Sequence, residues 1–220
     1  MSVGGNADQP LEDLVGGRIR SIRAMKKRLF LDLDPFHLVV HFLLNGSYRV
    51  NERRDLDERL ALECGRASLN LYSCSVQVLE DGEEELTGYD RPQADVLAEA
   101  VDGRRAIETL LTDDRPVADI LRDQAVFGGV GNLIKNAVLW AVSLHTLVPG
   151  AALDRSTAEE LPDQAVRYAR YWYRQKKNEG ELGMQGYRGE ACPACESALE
   201  RKELGEYARI TDWCPVCQPE

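Results

Sequence analysis

Short apolar runs, several of them with every second position apolar, fill residues 18–79. The runs at 29–33, 38–44, 60–64, 67–72 and 76–79 have the length and period of β-strands. Asn45-Gly46 follows the second of these runs and predicts a hairpin-type turn before Tyr48 and Val50. The pattern therefore predicts an antiparallel β-sandwich or half-barrel domain over residues 1–90.

The hydrophobic period becomes helical after an acidic segment at residues 80–95, which has the composition of a linker. Apolar spacing predicts helices over 96–101, 106–111, 133–144 and 157–175. A further helix is predicted from Pro116 through Leu121, because proline is tolerated in a first turn, with Asp113-Asp114 as its cap. A helical domain is therefore predicted over residues 91–180, which makes the fold class α+β.

The sequence Gly128-Gly-Val-Gly131-Asn132 joins two of these predicted helices and is too rich in glycine to be helical. Glycines let a backbone approach closely, and the amides that open the following helix present a positive dipole to a phosphate. Asn132 would add a side-chain amide there. The turn suits DNA binding, although an ordinary connection between two helices would have the same composition.

Four cysteines near the end of the chain are arranged as two Cys-x-x-Cys knuckles, each containing a proline and separated by 18 residues. This spacing places four thiolates around one metal ion and predicts one structural Zn²⁺ per chain. The predicted ligands are Cys192, Cys195, Cys214 and Cys217.

Between the knuckles, runs at 198–202 and 207–213 predict two short strands around a turn at Gly205-Glu206, with Arg209 near the tip. The result would be a zinc hairpin domain over residues 186–220. A zinc staple that only holds this end of the chain together is the alternative. Such a staple needs no exposed arginine on its loop.

The net charge of −10 argues at first against a nucleic-acid partner, since phosphate binding is largely an effect of cations. The charge is unevenly distributed, however, because five of the six residues at 80–85 are acidic whereas residues 18–28 contain six cations and no acid. No run reaches the ~18 apolar residues of a membrane span, and the first ten residues have no signal-peptide pattern. We expect a cytoplasmic protein without a membrane partner, nucleoid-associated if prokaryotic.

The sequence from Asp123 through Asn132, together with the cysteine knuckles and an arginine five residues before Cys214, resembles the formamidopyrimidine-DNA glycosylase/endonuclease VIII family. Val-Gly-Asn-Leu-Ile-Lys-Asn, residues 130–136, is most similar to its endonuclease VIII-like branch. The resemblance implies a helix-two-turn-helix and a zinc hairpin that grip DNA around a flipped-out damaged nucleotide. It also implies that Gly131, Asn132 and Arg209 contact the phosphates.

Residues 16–33 resemble the family's strand with an active-site lysine, which falls on Lys27. Residues 41–46, His-Phe-Leu-Leu-Asn-Gly, resemble the loop with a void-filling methionine, here replaced by Leu44, and an apolar wedge still suits that place. Ser2 and Val3 stand where the family has a nucleophilic proline and a glutamate. The usual N-terminal catalytic segment is therefore expected to be lacking, and weak lyase activity through Lys27 is predicted rather than base excision.

The leading interpretation is a monomeric damaged-DNA-binding protein of base excision repair, of the DNA glycosylase and abasic-site lyase type. Its partners would be damaged, abasic or single-stranded DNA. The alternative is a catalytically silent module that binds abasic or single-stranded DNA. A zinc ribbon that binds RNA or protein is a third interpretation.

Overall fold

The computed structural model describes residues 1–8, 10–80, 92–177, 189–206 and 208–219. They form two compact units, Met1–Asp90 and Arg91–Glu220. Most of the predicted acidic linker lies outside the described residues. So do the predicted end of the helical domain at 180, the predicted start of the zinc hairpin at 186 and the first residue of the strand predicted at 207–213.

The first unit contains two four-stranded sheets in which every pair of neighbouring strands is antiparallel. One sheet has the order β1-β6-β7-β5 and the other β2-β3-β4-β8. The strands are β1 (Ser2–Gly4), β2 (Ser21–Met25), β3 (Arg28–Asp32), β4 (Phe36–His41), β5 (Ser47–Val50), β6 (Leu60–Cys64), β7 (Ala67–Tyr72) and β8 (Ser75–Glu80). The predicted antiparallel β-structure is confirmed.

Apolar side chains from both sheets form one core in this unit. Leu31 and Val40 come from one sheet and Leu62 and Leu71 from the other, and all four are almost fully buried. Phe30 and Val39, the strand neighbours of Leu31 and Val40, are also buried, in a separate small cluster with Leu79, so these two strands bury both of their faces. Burying a side chain of this size stabilises the fold by about 1.5–3 kcal/mol, so the shared core holds the two sheets face to face.

The predicted hairpin at Asn45-Gly46 is wrong. β4 pairs with β3 and β8, whereas β5 pairs with β7 in the other sheet, so the intervening turn carries the chain from one sheet to the other. The Gly46 amide donates to the Phe42 carbonyl at 2.7 Å. A Cβ on Gly46 would lie 2.0 Å from that oxygen, so glycine is required for a close approach of the backbone and not for a two-residue hairpin.

The second unit contains the helices α1 (Gly103–Thr112), α2 (Val117–Ile120), α3 (Asn132–Ala141) and α4 (Arg155–Lys177). Their apolar faces share a core that includes Leu110, Ile120, Val138 and Leu161. The predicted helical part of the fold is therefore confirmed. Within the described ranges, no helix is both long and apolar enough to cross a membrane.

The helix predicted at 96–101 is absent, and the described chain there makes turns after a single 3-10 turn at Pro92–Ala94. Val96 is buried, and its amide donates to the Gly128 carbonyl at 2.9 Å. Its burial therefore comes from anchoring an irregular segment beside the glycine turn, a role that helical spacing cannot distinguish from a helix face.

Asp113 does not cap α2 as predicted. It follows α1, and its carboxylate accepts hydrogen bonds from the backbone amide and the guanidinium of Arg115. These bonds, the guanidinium first, lower the pKa of the Asp113 carboxyl. The aspartate thus shapes the connection between the two helices, and α2 begins directly after Pro116.

Candidate nucleic-acid interface

Two antiparallel strands, β9 (Glu200–Leu204) and β10 (Arg209–Trp213), lie between the cysteine knuckles. Beside them the four sulfur atoms all lie within 4.8 Å of one another. Cys195 Sγ is 3.5 Å from the sulfurs of Cys214 and Cys217, and Cys192 Sγ is 3.9 Å from that of Cys217. A tetrahedral ion with Zn–S bonds of ~2.3 Å separates its sulfurs by ~3.8 Å. The four cysteines therefore fit a divalent metal ion.

The four cysteines change the acidity of one another's thiols. The hydrogen bond to Cys195 and burial raise the pKa of Cys217 to about 12. Burial also opposes ionisation of Cys192, but the Trp140 indole and the amides of Ala194 and Cys195 outweigh it and lower that pKa to about 6. Thiolates this close repel one another, and a divalent cation removes the repulsion.

Among the described residues, three side-chain hydrogen bonds connect the two-stranded hairpin of β9 and β10 to the helices. Asn132 Nδ2 donates to the Ile210 carbonyl at 2.6 Å, and Lys135 Nζ donates to Thr211 Oγ1 at 2.7 Å. At the hairpin tip, the Glu206 amide donates to the Asp119 carboxylate at 3.1 Å. We call this set of contacts the hairpin seam.

Gly205 allows the hairpin tip to approach Asp119 closely in the third contact of the hairpin seam. Its φ of +80° lies in the left-handed region, and an added Cβ would stand 2.5 Å from Asp119 Oδ1. Any side chain at this position would both strain the turn and push the hairpin tip away from α2. The predicted turn at Gly205-Glu206 thus has a second role as the place where hairpin and helix touch.

The glycine turn before α3 is held by Gln124. Its Nε2 donates to the carbonyls of Arg122 and Val130 at 2.7 and 3.0 Å, and its Oε1 accepts from the Gly129 amide at 3.0 Å. Gly129 has a φ of +93°, which explains the glycine there. Gly131 is extended and is the N-cap of α3, where no side chain among the described residues caps the first turn. The opening amides of α3 are therefore left to bind an anion.

Arg209 is exposed at the start of β10. In the described part of the chain its guanidinium makes no ion pair. The next residue is Ile210, whose carbonyl is held by Asn132, so the backbone of Arg209 lies beside the start of α3. The structure thus brings together Gly131, Asn132 and Arg209, the three residues predicted to contact phosphates.

Lys27 and Leu44 lie in the first unit. Lys26 and Lys27 form the two-residue turn between β2 and β3, with φ angles of +50° and +64°. Lys27 is exposed, whereas Lys26 is buried. The pKa of His41 is lowered by burial and by the charges of Arg28 and Lys27, which marks a positive potential around the turn.

Leu44 is 91% exposed in the turn between β4 and β5. The preceding Leu43 has a φ of +48° and is also exposed. A leucine gains nothing from such exposure in water. Its position is therefore compatible with the apolar wedge implied by the family resemblance.

Sequence reasoning did not single out Asp119, Lys135 or Thr211, which are three of the six residues of the hairpin seam. One signal was available. α3 reads Asn-Leu-Ile-Lys-Asn-Ala-Val-Leu-Trp-Ala and is apolar on nearly all sides, so a lysine in its middle needs a buried partner. The partner itself could not be read from the sequence, because Thr211 is 76 residues away.

Comparisons with known proteins support a common ancestry. Endonuclease 8-like 2 of Mus musculus is 36% identical over 204 residues, and that of Bos taurus is 34% identical over 198 residues. Each match covers 83% of this chain and 58% of the relative. The formamidopyrimidine-DNA glycosylase of Chloroflexus aurantiacus is 28% identical over 240 residues, with 93% of this chain and 81% of the relative covered. No protein-family model matches the chain.

Solved structures agree in fold. A viral DNA glycosylase superposes with a TM-score of 0.87 at 20% identity, with 99% of this chain and 92% of the other covered. The Lactococcus lactis Fpg protein bound to DNA with an abasic site gives a TM-score of 0.80 at 20% identity, with 100% and 92% covered. The chain belongs to the formamidopyrimidine-DNA glycosylase/endonuclease VIII (Fpg/Nei) family.

Membership of the Fpg/Nei family relates this protein to DNA repair glycosylases and lyases. The chain spans 58% of the length of the Endonuclease 8-like 2 relatives. It spans 84% of the DNA-(apurinic or apyrimidinic site) lyase Nei2 of Mycolicibacterium smegmatis. The Fpg-like fold includes antiparallel sheets, a helical part and a cysteine cluster able to hold a metal ion.

Proposed function

We propose that this protein binds damaged or abasic DNA in base excision repair and acts as a glycosylase-type abasic-site lyase. The observation that carries the proposal is the joining of Arg209 to the uncapped start of α3 through the Asn132–Ile210 hydrogen bond. This arrangement presents a guanidinium and a helix N-terminus in one place. The abasic-site DNA held by the Lactococcus lactis Fpg protein supports the choice of ligand.

Phosphates are the chemical group that this place would bind. An arginine forms a charge-assisted, bidentate pair with a phosphate, and the amides of α3 add donors and a favourable dipole. Neither contact reads a base, so both would position the duplex and carry no sequence preference. We identify this surface with the helix-two-turn-helix and zinc hairpin of the family.

We assign a structural Zn²⁺ to Cys192, Cys195, Cys214 and Cys217. When bound, the ion holds the two knuckles together and neutralises thiolate charge, and it supplies no open coordination position for chemistry. The hairpin that it supports carries Arg209. Loss of metal would therefore act on catalysis only through DNA binding.

Lys27 is the proposed amine of the lyase reaction. Its amine would attack the C1′ aldehyde of an abasic sugar, lose water to form a Schiff base, and so permit β-elimination of the 3′ phosphate. The reaction needs the uncharged form of this amine. Leu44 is the proposed wedge in the space left by the flipped nucleotide.

Arg209→Ala is expected to weaken binding to abasic duplex DNA by about 1–3 kcal/mol, because it removes a charge-assisted contact without touching a core. The slope of log affinity against log salt should also fall in magnitude by about one phosphate contact. Fluorescence anisotropy with labelled DNA at several salt concentrations measures both quantities.

Arg170→Ala is the matched control, since it removes an equally charged, exposed arginine from α4. We expect it to bind abasic DNA like the wild type. Equal binding by Arg209→Ala and wild type would refute the proposed interface. Competition by an RNA of the same length as strongly as by abasic DNA would instead support the zinc-ribbon interpretation.

A further inference from the structure

We propose that Lys135 is a positioning residue that fixes the backbone of Arg209 for phosphate binding. The proposal rests on the proposed function, since it concerns how the DNA-contacting arginine is held. Lys135 Nζ donates to Thr211 Oγ1 at 2.7 Å, and Thr211 Oγ1 donates to the Arg209 carbonyl at 3.0 Å. Two consecutive hydrogen bonds therefore connect the middle of α3 to the peptide group of Arg209.

The second support for Arg209 is independent of the first. Asn132 lies one helical turn before Lys135 and donates to the carbonyl of Ile210. Residues three apart share a helix face, so one face of α3 holds the consecutive positions 210 and 211 of β10. Arg209, at the preceding position of the strand, is then restricted in direction, which reduces the entropy lost when it binds a phosphate.

Burial shows that this contact is costly to form. Lys135 is only 2% exposed, and desolvation, with the Arg122 charge adding to it, lowers the pKa of its amine to about 7. Asp119 in α2 and Asp212 in β10 act in the opposite direction. The Asp212 carboxylate is itself paired with Arg201 of β9 at 2.5 Å. A buried lysine that costs stability and is attached to the hairpin fits a role in function better than a role in folding.

A direct chemical role for Lys135 conflicts with the geometry. A buried amine of lowered pKa has the acidity of a nucleophile. Its side chain, however, is enclosed between α3 and β10 and is already bonded to a hydroxyl, so a sugar cannot reach it. Its effect on DNA must pass through the hairpin.

Lys135→Met is expected to bind abasic DNA about tenfold more weakly than wild type, while its zinc content stays at the wild-type value. Thr211→Val removes the connecting hydroxyl without a change of charge and should weaken binding to a similar extent. Lys202→Met is the control, because it removes the same charge from an exposed position of β9, and its affinity should exceed that of Lys135→Met.

A double-mutant cycle tests whether Lys135 acts through Arg209. If it does, Lys135→Met added to Arg209→Ala should change affinity by less than about twofold. A further tenfold loss in the double mutant would overturn the positioning role, as would wild-type affinity in both Lys135→Met and Thr211→Val. Unchanged binding by Arg209→Ala would instead overturn the proposed function.

Stability should change in the opposite direction to affinity. Because the pKa of Lys135 is about 7 in the folded protein and ordinarily 10.5, the unfolded chain binds more protons between these pH values. Burial of this amine therefore lowers the free energy of unfolding of the wild type by its full amount below pH 7, and this destabilisation disappears as the pH rises from 7 to 10.5. Lys135→Met should lack this destabilisation and unfold at a higher temperature than wild type at pH 7. A lower unfolding temperature would mean that Lys135 is a structural residue and overturn the proposal.

Discussion

Cys214→Ser is expected to lose the proposed zinc ion, and the hairpin of β9 and β10 is expected to unfold. Binding energies of structural zinc are about 10–16 kcal/mol in small zinc domains, and a two-stranded hairpin is at best marginally stable alone. The residues of β9 are mostly exposed and the seam contacts of β10 are polar, so little apolar area besides Trp213 remains to hold the hairpin without the ion. Elemental analysis should give one zinc per wild-type chain and well under one for the variant.

The same loss should remove most DNA binding, because Arg209 belongs to the hairpin. Cys64→Ser is the matched control, since Cys64 is a partly buried free cysteine of the first unit and lies outside the cluster of four. It should keep both its zinc and its affinity for DNA. A wild-type chain that binds much less than one zinc while the hairpin amides stay protected from exchange would contradict the zinc assignment.

Borohydride reduction of wild-type protein with an abasic oligonucleotide should give a covalent adduct, and Lys27→Arg should give none. Arginine keeps the positive charge but is never a free amine at neutral pH. DNA affinity should therefore change little while the adduct disappears. The expected effect is a loss of at least about 100-fold in trapped product, because the attacking atom itself is removed.

Lys27→Gly distinguishes a lost amine from a damaged turn. Lys27 has a φ of +64°, and glycine adopts such an angle more readily than lysine, so this variant should fold at least as well. It should also lack the adduct. An adduct that persists in both variants would place the amine elsewhere, and the absence of any adduct in the wild type would favour a protein that only binds abasic or single-stranded DNA.

The parts of the fold that depend on local pattern could be predicted from the sequence. Short apolar runs located most strands, because one face of each sheet packs in the shared core, and the four cysteines of the proposed metal site were evident from their spacing. Which strands pair with each other could not be predicted from local sequence. Asn45-Gly46 has the composition of a hairpin turn, yet it joins two sheets, because the register of β4 with β8 and of β5 with β7 decides which strands meet.

The residues of the candidate site could be predicted from the sequence, but the contacts between them could not. The cysteine spacing and the glycine turn indicated Asn132 and Arg209, but nothing local indicated that the amide of one holds the chain beside the other. The segment around Val96 shows the opposite kind of error, because its helical spacing predicted a helix that the structure does not contain at residues 96–101. Both cases reflect contacts between segments that are distant in sequence, which propensity and period do not encode.

The hairpin seam has a consequence for hydrogen exchange. Glu206 is a surface residue, but its amide proton is engaged by Asp119. This proton can exchange with solvent only when the hairpin tip separates from α2, so its exchange rate reports that separation and not the exposure of the residue. Because the seam also includes Lys135, the hydrogen-bonded amides of α3 from Lys135 onward and the tip of the hairpin should open together as one cooperative unit, and DNA on Arg209 should slow the exchange of both.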